Sequence, residues 1–375
     1  MSHRIAIDAR KIRDFGIGTY IRNLVRELAE LDRENRYFLL TGPQGKSALQ
    51  DLPDNFEIVL HHSPVYSLRE LWATSFQLKR LGIDLYHATH YVLPLWLPCR
   101  TVVTIHDIIH LLYPEYLPNR LAHLYAEGMI RRGVQRGDRV ITVSHNTRSD
   151  LRDYFGIEGR RLEVVYNGIE RAFHDELSTD ARDRKLKQLG LDAGYLLFVG
   201  NPKPHKNLDR VVRAYARAVE LGDIDAPLVC VGDKGGIESR VRQRAEQLGI
   251  GDRVLLPGVV AQEVLPAIYQ GARLFLYPTL YEGFGLPVVE AMASNVPVLT
   301  SKTSALQEIA AGYAHLVDPL DIESMAEGIV RILGDEEYHR SLARSGKRRS
   351  RDFDWRRAAE RTHEIYRLAL GGDKA

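Results

Sequence analysis

The chain has 375 residues, with 51 Lys and Arg against 49 Asp and Glu and a formal net charge of +2. At roughly 100–200 residues per domain this length suits two domains, and a composition 45% hydrophobic and 27% charged excludes intrinsic disorder and collagen-like repeats. The near-neutral balance argues against a nucleic-acid binder, and only Cys99 and Cys230 occur, which excludes a disulfide framework or a Cys-based zinc site and suits a reducing compartment.

Met1-Ser2-His3-Arg4 runs directly into Ile5-Ala6-Ile7-Asp8, too short an apolar stretch for a signal-peptide core. No run approaches the ~18 apolar residues of a membrane helix. The expectation is a soluble or peripheral protein of the cytoplasm.

In the first half, strands are predicted at 4–8, 37–40, 57–60, 84–87, 101–105, 139–143 and 163–166, with helices at 18–31, 68–81 and 119–136. The charged, strand-poor stretch 170–190 reads as a linker and the first helix of a second domain. The pattern then restarts, with strands at 195–199, 228–231, 254–256, 274–277, 298–300 and 315–317 and helices at 208–221, 237–248, 286–293 and 322–333. Several strands are near-continuous apolar runs, as expected of strands covered on both faces. Alternating strand and helix implies parallel sheets built from right-handed crossovers. The expected fold class is α/β: two Rossmann-like doubly wound domains facing across a cleft, 1–170 and 171–354. Ligands of such sheets bind beyond the carboxyl ends of strands, so functional motifs should follow strands.

Four motifs do. Gly16-Ile17-Gly18 follows the first strand and opens a helix, where glycines let backbone amides approach an anion. It is not a dinucleotide fingerprint, because position 21 is Ile. Thr104-Ile105-His106-Asp107 ends a strand, and His106 there can hydrogen-bond a hydroxyl or be satisfied by Asp107 or backbone; His87, His90 and His110 are alternatives. No two of these histidines have metal spacing with a third ligand. Gly200-Asn201-Pro202-Lys203-Pro204-His205-Lys206-Asn207 follows the first strand of the second half, gathering two lysines at a helix start with Asn207 as a plausible N-cap; a solvated basic turn is the bland alternative. Glu282-Gly283-Phe284-Gly285-Leu286-Pro287-Val288-Val289-Glu290-Ala291 is the most specific. Pro287 suits a first helical turn, and Glu290, amid apolar residues, needs a partner.

These residues together resemble a retaining glycosyltransferase of family 4, with the GT-B fold. Glu282 and Glu290 match its E-x7-E signature. The resemblance spans almost the whole chain, taking in Gly16-Ile17-Gly18-Thr19-Tyr20, His106-Asp107, Val143-Ser144, Tyr166-Asn167-Gly168 and Lys206-Asn207. It implies an N-terminal acceptor domain, a C-terminal nucleotide-sugar donor domain, and a C-terminal helix, 355–375, packing back on the first domain. It further implies that Glu290 binds the donor ribose and Glu282 the donor sugar hydroxyls. Backbone amides around Gly283, Phe284, Gly285 and Leu286 would bind sugar or phosphate. Lys206 would neutralise the diphosphate leaving group, His106 would lie near the reacting sugar, and Gly16 and Gly18 would approach the phosphates. The catalytic set is thus His106, Lys206 and Glu282. One departure is that Asn201 stands where many members carry an arginine; Lys203 or His205 would replace it. No metal or other cofactor is expected, since no aspartate-rich metal motif occurs.

The nearest likeness is to bacterial mannosyltransferases and rhamnosyltransferases of polysaccharide assembly. It implies GDP-mannose as donor, with a UDP-sugar or dTDP-rhamnose as alternatives, and a lipid-linked oligosaccharide acceptor. Arg120, Arg131, Arg132, Arg136 and Arg139, and the run Lys347-Arg348-Arg349-Ser350-Arg351, would touch an anionic membrane or simply be solvated. A sugar-nucleotide epimerase, a glycan phosphorylase and a non-catalytic nucleotide-sugar-binding scaffold are the competing readings.

Overall fold

A computed structural model describes residues 2–67, 69–157, 161–201, 203–232 and 237–371. It divides into two compact units, residues 1–168 with 354–375, and residues 169–353.

The first unit runs β1 (Arg4–Asp8), α1 (Phe15–Leu31), β2 (Arg36–Thr41), β3 (Phe56–Leu60), α2 (Glu70–Arg80), β4 (Leu85–Ala88), β5 (Arg100–Ile105), α3 (Ile109–Leu112), α4 (Arg120–Arg136), β6 (Arg139–Thr142), α5 (His145–Phe155) and β7 (Leu162–Val164). The second runs α6 (Arg171–His174), α7 (Thr179–Lys187), β8 (Tyr195–Val199), α8 (Leu208–Leu221), β9 (Leu228–Val231), α9 (Ile237–Gln247), β10 (Val254–Gly258), α10 (Leu265–Gly271), β11 (Ala272–Tyr277), α11 (Leu286–Ala293), β12 (Val298–Ser301), α12 (Ser304–Ala310), β13 (His315–Val317), α13 (Ile322–Gly334) and α14 (Glu336–Ser350). The final helix, α15 (Trp355–Gly371), belongs to the first unit. Of the expected helices, the start at 68 and the end at 372–375 lie outside the described residues.

Both sheets are wholly parallel. Their strand orders are β3-β2-β1-β4-β5-β6-β7 and β10-β9-β8-β11-β12-β13. In each, the chain first winds one way and then reverses, between β1 and β4 and between β8 and β11. These reversals are the topological switch points where such sheets bind ligands.

The period-2 geometry of β1 explains why the sheet is covered twice. Ile5 and Ile7 point into one core with Ile21, Leu24 and Leu28 of α1 and Ile365 and Tyr366 of α15. Ala6 points into another with Phe38, Tyr86, Val103, and Ile130 and Val134 of α4. Each fully buried aliphatic side chain contributes about 1.5–3 kcal/mol. The apolar stripe of α15, Trp355, Ala358, Ala359, Thr362, Ile365, Tyr366 and Ala369, follows helical spacing. A polar tie joins it to the sheet: Tyr366 Oη lies 2.6 Å from His87 Nδ1, and His87 Nε2 lies 2.8 Å from Thr104 Oγ1. Burial, then the neighbouring His106, pushes His87 down to about 3, so this histidine is a neutral core residue rather than a ligand-binding one.

Two expectations are corrected here. The first helix starts at Phe15, so Gly16 and Gly18 lie inside its first turn instead of in a turn before it. Gly18 is required by the chain's own packing, since a Cβ there would sit 2.4 Å from the Ile12 carbonyl oxygen. The helices α5 and α14 were also not anticipated, because both are strongly polar with few buried positions.

Candidate active site

At the switch point of the second sheet, the loops leaving β8 and β11 lie side by side. Pro202 of the first loop is outside the described residues. Residues Pro204–Lys206 form a single 3-10 turn, and Asn207 adopts a left-handed φ of 62° before α8. The expected N-cap role of Asn207 is corrected: its side chain bonds no helix amide. Nδ2 donates instead to the carbonyls of Pro278 at 2.8 Å and Pro319 at 2.6 Å, and Oδ1 accepts from Arg210. The Leu280 amide donates to the His205 carbonyl at 2.8 Å. These bonds stitch the two loops together and fix which side chains meet.

The meeting pair is Lys206 and Glu282. Lys206 Nζ donates to Glu282 Oε1 at 2.7 Å and to Tyr277 Oη at 3.0 Å, and the two charged side chains are only 15% and 11% exposed. Burial by itself would lower the lysine's affinity for its proton. The Glu282 carboxylate and the Tyr277 hydroxyl outweigh it, and the ammonium is held charged. An ammonium has three N–H donors. Among the described residues two are engaged, which leaves one for an incoming anion.

Gly285 shapes the other side. Its φ of 98° favours glycine, and a Cβ would approach Leu306 Cδ2 to 2.4 Å. From there α11 begins, with Pro287 in the first turn. Gly283 and Phe284 are buried, the Phe284 ring edge-on to Phe353 at 5.5 Å, while Leu286 is half-buried. Glu290, on the second turn, is 8% exposed. The partner its sequence setting demands is a tyrosine: Tyr269 Oη donates to Glu290 Oε2 at 2.8 Å. Burial, against the Tyr269 bond and aided by Glu170, pushes the Glu290 carboxyl up to about 7. Asn201 Oδ1 is buried with no hydrogen-bond partner among the described residues, and Lys203 is exposed.

Tyr277 and Tyr269 escaped the sequence reading. Tyr277 carried a signal, a hydroxyl at the carboxyl end of an apolar strand. Tyr269, inside a seven-residue helix, carried none.

In the first unit, His106 is half-buried just after β5, edge-on to Tyr20 at 5.0 Å. Its Nε2 lies 2.9 Å from the Thr89 carbonyl, which can only accept, so Nε2 carries the proton. Burial lowers its pKa, which keeps the ring neutral and leaves Nδ1 as an acceptor for a hydroxyl. Asp107 does not hold it; Asp107 Oδ1 accepts from the Ile109 amide. Gly18 is buried and Gly16 exposed on α1.

Two family models match, between them covering most of the chain. Glycosyltransferase Family 4 matches residues 16–173, and Glycosyl transferases group 1 matches residues 180–349. The chain belongs to the family 4, group 1 glycosyltransferases. Over 300 residues it is 28% identical to O-antigen chain mannosyltransferase B of Escherichia coli, covering 80% of this chain and 77% of that protein. Among solved structures, it superposes on sucrose-phosphate synthase from Thermosynechococcus elongatus with a TM-score of 0.80 at 22% identity, covering 98% of this chain and 99% of that one. It also matches Anabaena HepE, solved with UDP-glucose, with a TM-score of 0.77 at 19% identity, covering 97% and 99%. The fold of this glycosyltransferase is GT-B, and its two parallel sheets are the Rossmann-like units of that fold. No helix among the described residues is long and apolar enough to cross a membrane.

Proposed function

We propose that the glycosyltransferase transfers mannose from GDP-mannose, with retention of configuration, to a lipid-linked oligosaccharide. The observation that carries this reading is the buried Lys206–Glu282 pair at the switch point, with one ammonium donor unused among the described residues, beside the glycine-shaped start of α11. As the sugar–phosphate bond breaks, negative charge grows on the departing diphosphate. A positioned cation stabilises that charge more in the transition state than in the ground state. In this reading Lys206 takes the diphosphate, with the amides of Gly283, Phe284, Gly285 and Leu286 beside it. Glu282 accepts from the donor sugar hydroxyls and Glu290 from the ribose diol. Lys203 or His205 stands in for the arginine absent at Asn201, the assignment of Gly16 and Gly18 to the phosphates is retained as part of this proposal, and His106 accepts a hydroxyl at Nδ1. The acceptor oxygen bonds to the anomeric carbon on the face the diphosphate leaves, and the diphosphate takes the acceptor's proton. The reading includes no metal or other cofactor, because Lys206 and the amides supply the positive potential.

The mannosyl assignment draws on the name of the Escherichia coli relative, whereas HepE with UDP-glucose favours a UDP-sugar as the second reading. We also propose that the acceptor's lipid end brings the protein to the cytoplasmic face of an anionic membrane, supported by exposed Trp72, Phe76, Leu121 and Leu124 near basic residues of α2 and α4. Nucleoside diphosphate release from GDP-mannose, UDP-glucose and dTDP-rhamnose, with and without EDTA, tests the reading. Release from GDP-mannose alone, unaffected by EDTA, is expected. Release from UDP-glucose alone would move the assignment to a UDP-sugar. Binding without turnover of any donor would favour a scaffold and overturn the enzyme reading for this chain.

A further inference from the structure

A buried polar chain connects the C-terminal helix to the ring of His106, and all of its members lie in the first unit. It starts at Tyr366 of α15, whose Oη lies 2.6 Å from His87 Nδ1 on β4. His87 Nε2 lies 2.8 Å from Thr104 Oγ1 on β5, and Thr104 Oγ1 lies 2.9 Å from Tyr20 Oη on α1. Tyr20, His87, Thr104 and Tyr366 are each at most 1% exposed. With the imidazole neutral, one ring nitrogen donates and the other accepts, so the three bonds can run head to tail across four elements. Thr104 precedes His106 by two positions at the end of β5, so both side chains leave the sheet on the same face. Tyr20 spans the two: its hydroxyl is on Thr104, and its ring stands edge-on to His106 at 5.0 Å and 84°.

The start of α15 grips the same tyrosine, the Trp355 ring lying 6.1 Å from the Tyr20 ring. Gly168 seats that end of the helix: a Cβ there would stand 2.1 Å from the Trp355 amide nitrogen and 2.6 Å from the Asp354 carbonyl carbon, so the two backbones touch directly. This accounts for the glycine of Tyr166-Asn167-Gly168, which the donor chemistry does not use. On its other side His106 is fixed by the Thr89 carbonyl, 2.9 Å from Nε2. Thr89 is itself tied to β1, donating from its hydroxyl to the Asp8 carbonyl at 2.6 Å, and the Asp8 carboxylate accepts from Arg10 Nε and from the Tyr86 hydroxyl, both at 2.8 Å. Attachment of α15 does not need the polar chain. Its apolar stripe already holds it, together with Arg361 on Glu163 at 2.8 Å and His363 on Asp32 at 3.1 Å. Exchanging paired buried polar groups for apolar ones of the same shape is close to neutral for stability. What hydrogen bonds add is direction, which apolar packing lacks. Here that direction is the orientation of the Tyr20 ring, and with it of the imidazole set against it.

We infer that Tyr366, His87, Thr104 and Tyr20 are positioning residues for His106, holding its ring so that Nε2 stays on Thr89 and Nδ1 is presented to a hydroxyl, which makes the orientation of His106 depend on the C-terminal helix. The bearing on transfer rests on the function proposed above; the placement of the ring does not. Nitrogen-15 NMR of the full chain labelled in histidine reads the ring directly, with His106 picked out of the 14 histidines by the signal lost in His106→Ala. A single Nε2–H tautomer is expected of the unmodified chain. Tyr20→Phe, Thr104→Val and Tyr366→Phe each delete one hydroxyl and keep the side chain's shape. Each should move the His106 signals toward a mixture of tautomers and lower kcat for transfer about 10- to 100-fold, with GDP affinity unchanged. Thr104→Ser keeps the hydroxyl and should match the unmodified chain in both readouts. Ile365→Val thins the core contact of the same helix without touching the polar chain; it should lower the thermal midpoint and leave both readouts alone. His106 signals unchanged in all three hydroxyl deletions, or moved as far by Ile365→Val or Thr104→Ser, would overturn the positioning role. Moved signals with full kcat would take His106 out of the reaction and the positioning role with it. The expected signals in a chain that turns over no sugar nucleotide would sink the transferase reading and leave the placement of the ring standing.

Discussion

Lys206→Ala removes the ammonium that sits 2.7 Å from Glu282 and 3.0 Å from the Tyr277 hydroxyl. Two separate losses follow. The fold keeps a carboxylate whose side chain is only 11% exposed, now without its cation. Breaking a buried pair from one side costs about 3–5 kcal/mol, and the residual exposure of both groups puts this one near the lower end, about 3 kcal/mol. The reaction loses the group assigned to the departing diphosphate, which by analogy with removing one preorganised donor costs about 10²–10³ in kcat. The double variant Lys206→Ala, Glu282→Gln also removes the stranded charge and, with its rate read against Glu282→Gln alone because Glu282 is itself assigned to the donor sugar, separates the two. Chemical denaturation of both variants should show most of the stability recovered in the double variant. Single-turnover transfer by the double variant should stay about 10²–10³ below that of Glu282→Gln alone, with none of the rate recovered. Near-normal transfer by Lys206→Ala would refute the leaving-group role, and rate recovered together with stability would show that the loss was structural.

The Glu290 carboxyl, raised to about 7 by burial, makes stability depend on pH. The native state binds this proton more tightly than the unfolded chain does. The associated stability is therefore fully present below the unfolded value of 4.5 and is lost as pH rises through 7. At 1.36 kcal/mol per unit the swing is about 3 kcal/mol. Glu290→Gln should leave the denaturation midpoint unchanged near pH 4 and raise it at pH 8; a pH-independent effect would contradict the burial argument. The same variant should flatten the rise in GDP affinity between pH 6 and 8 relative to the unmodified chain, because a ribose diol donates best to the ionised carboxylate. Gly285→Ala meets both a φ of 98° and Leu306 Cδ2 at 2.4 Å. A loss of about 1–3 kcal/mol with donor turnover impaired is expected, and wild-type stability and turnover would show that neither constraint is real.

The strands were legible because sheets covered on both faces leave near-continuous apolar runs such as Tyr195–Val199 and Leu228–Val231. Polar helices hid: α5 buries only Thr147 and Leu151, too few to print a helical period. The Lys206 and Glu282 loops could be named from their places after strands, but not their direct pairing, which depends on Asn207 sewing loops more than 70 residues apart. Asp8 did carry a warning, a carboxylate ending a run of buried residues, where a charge must find a partner. That the partner's far end would be Glu70, 60 residues from Arg10, is a product of the switch point and of nothing local.

The central claim is that the second unit holds the diphosphate of the donor on Lys206 and its ribose on Glu290. A crystal structure of the full chain soaked with GDP tests it most directly. The account predicts a diphosphate oxygen within hydrogen-bond distance of Lys206 Nζ and both ribose hydroxyls on the Glu290 carboxylate. A nucleotide bound elsewhere, or one whose ribose leaves Glu290 bonded to Tyr269 alone, would contradict it.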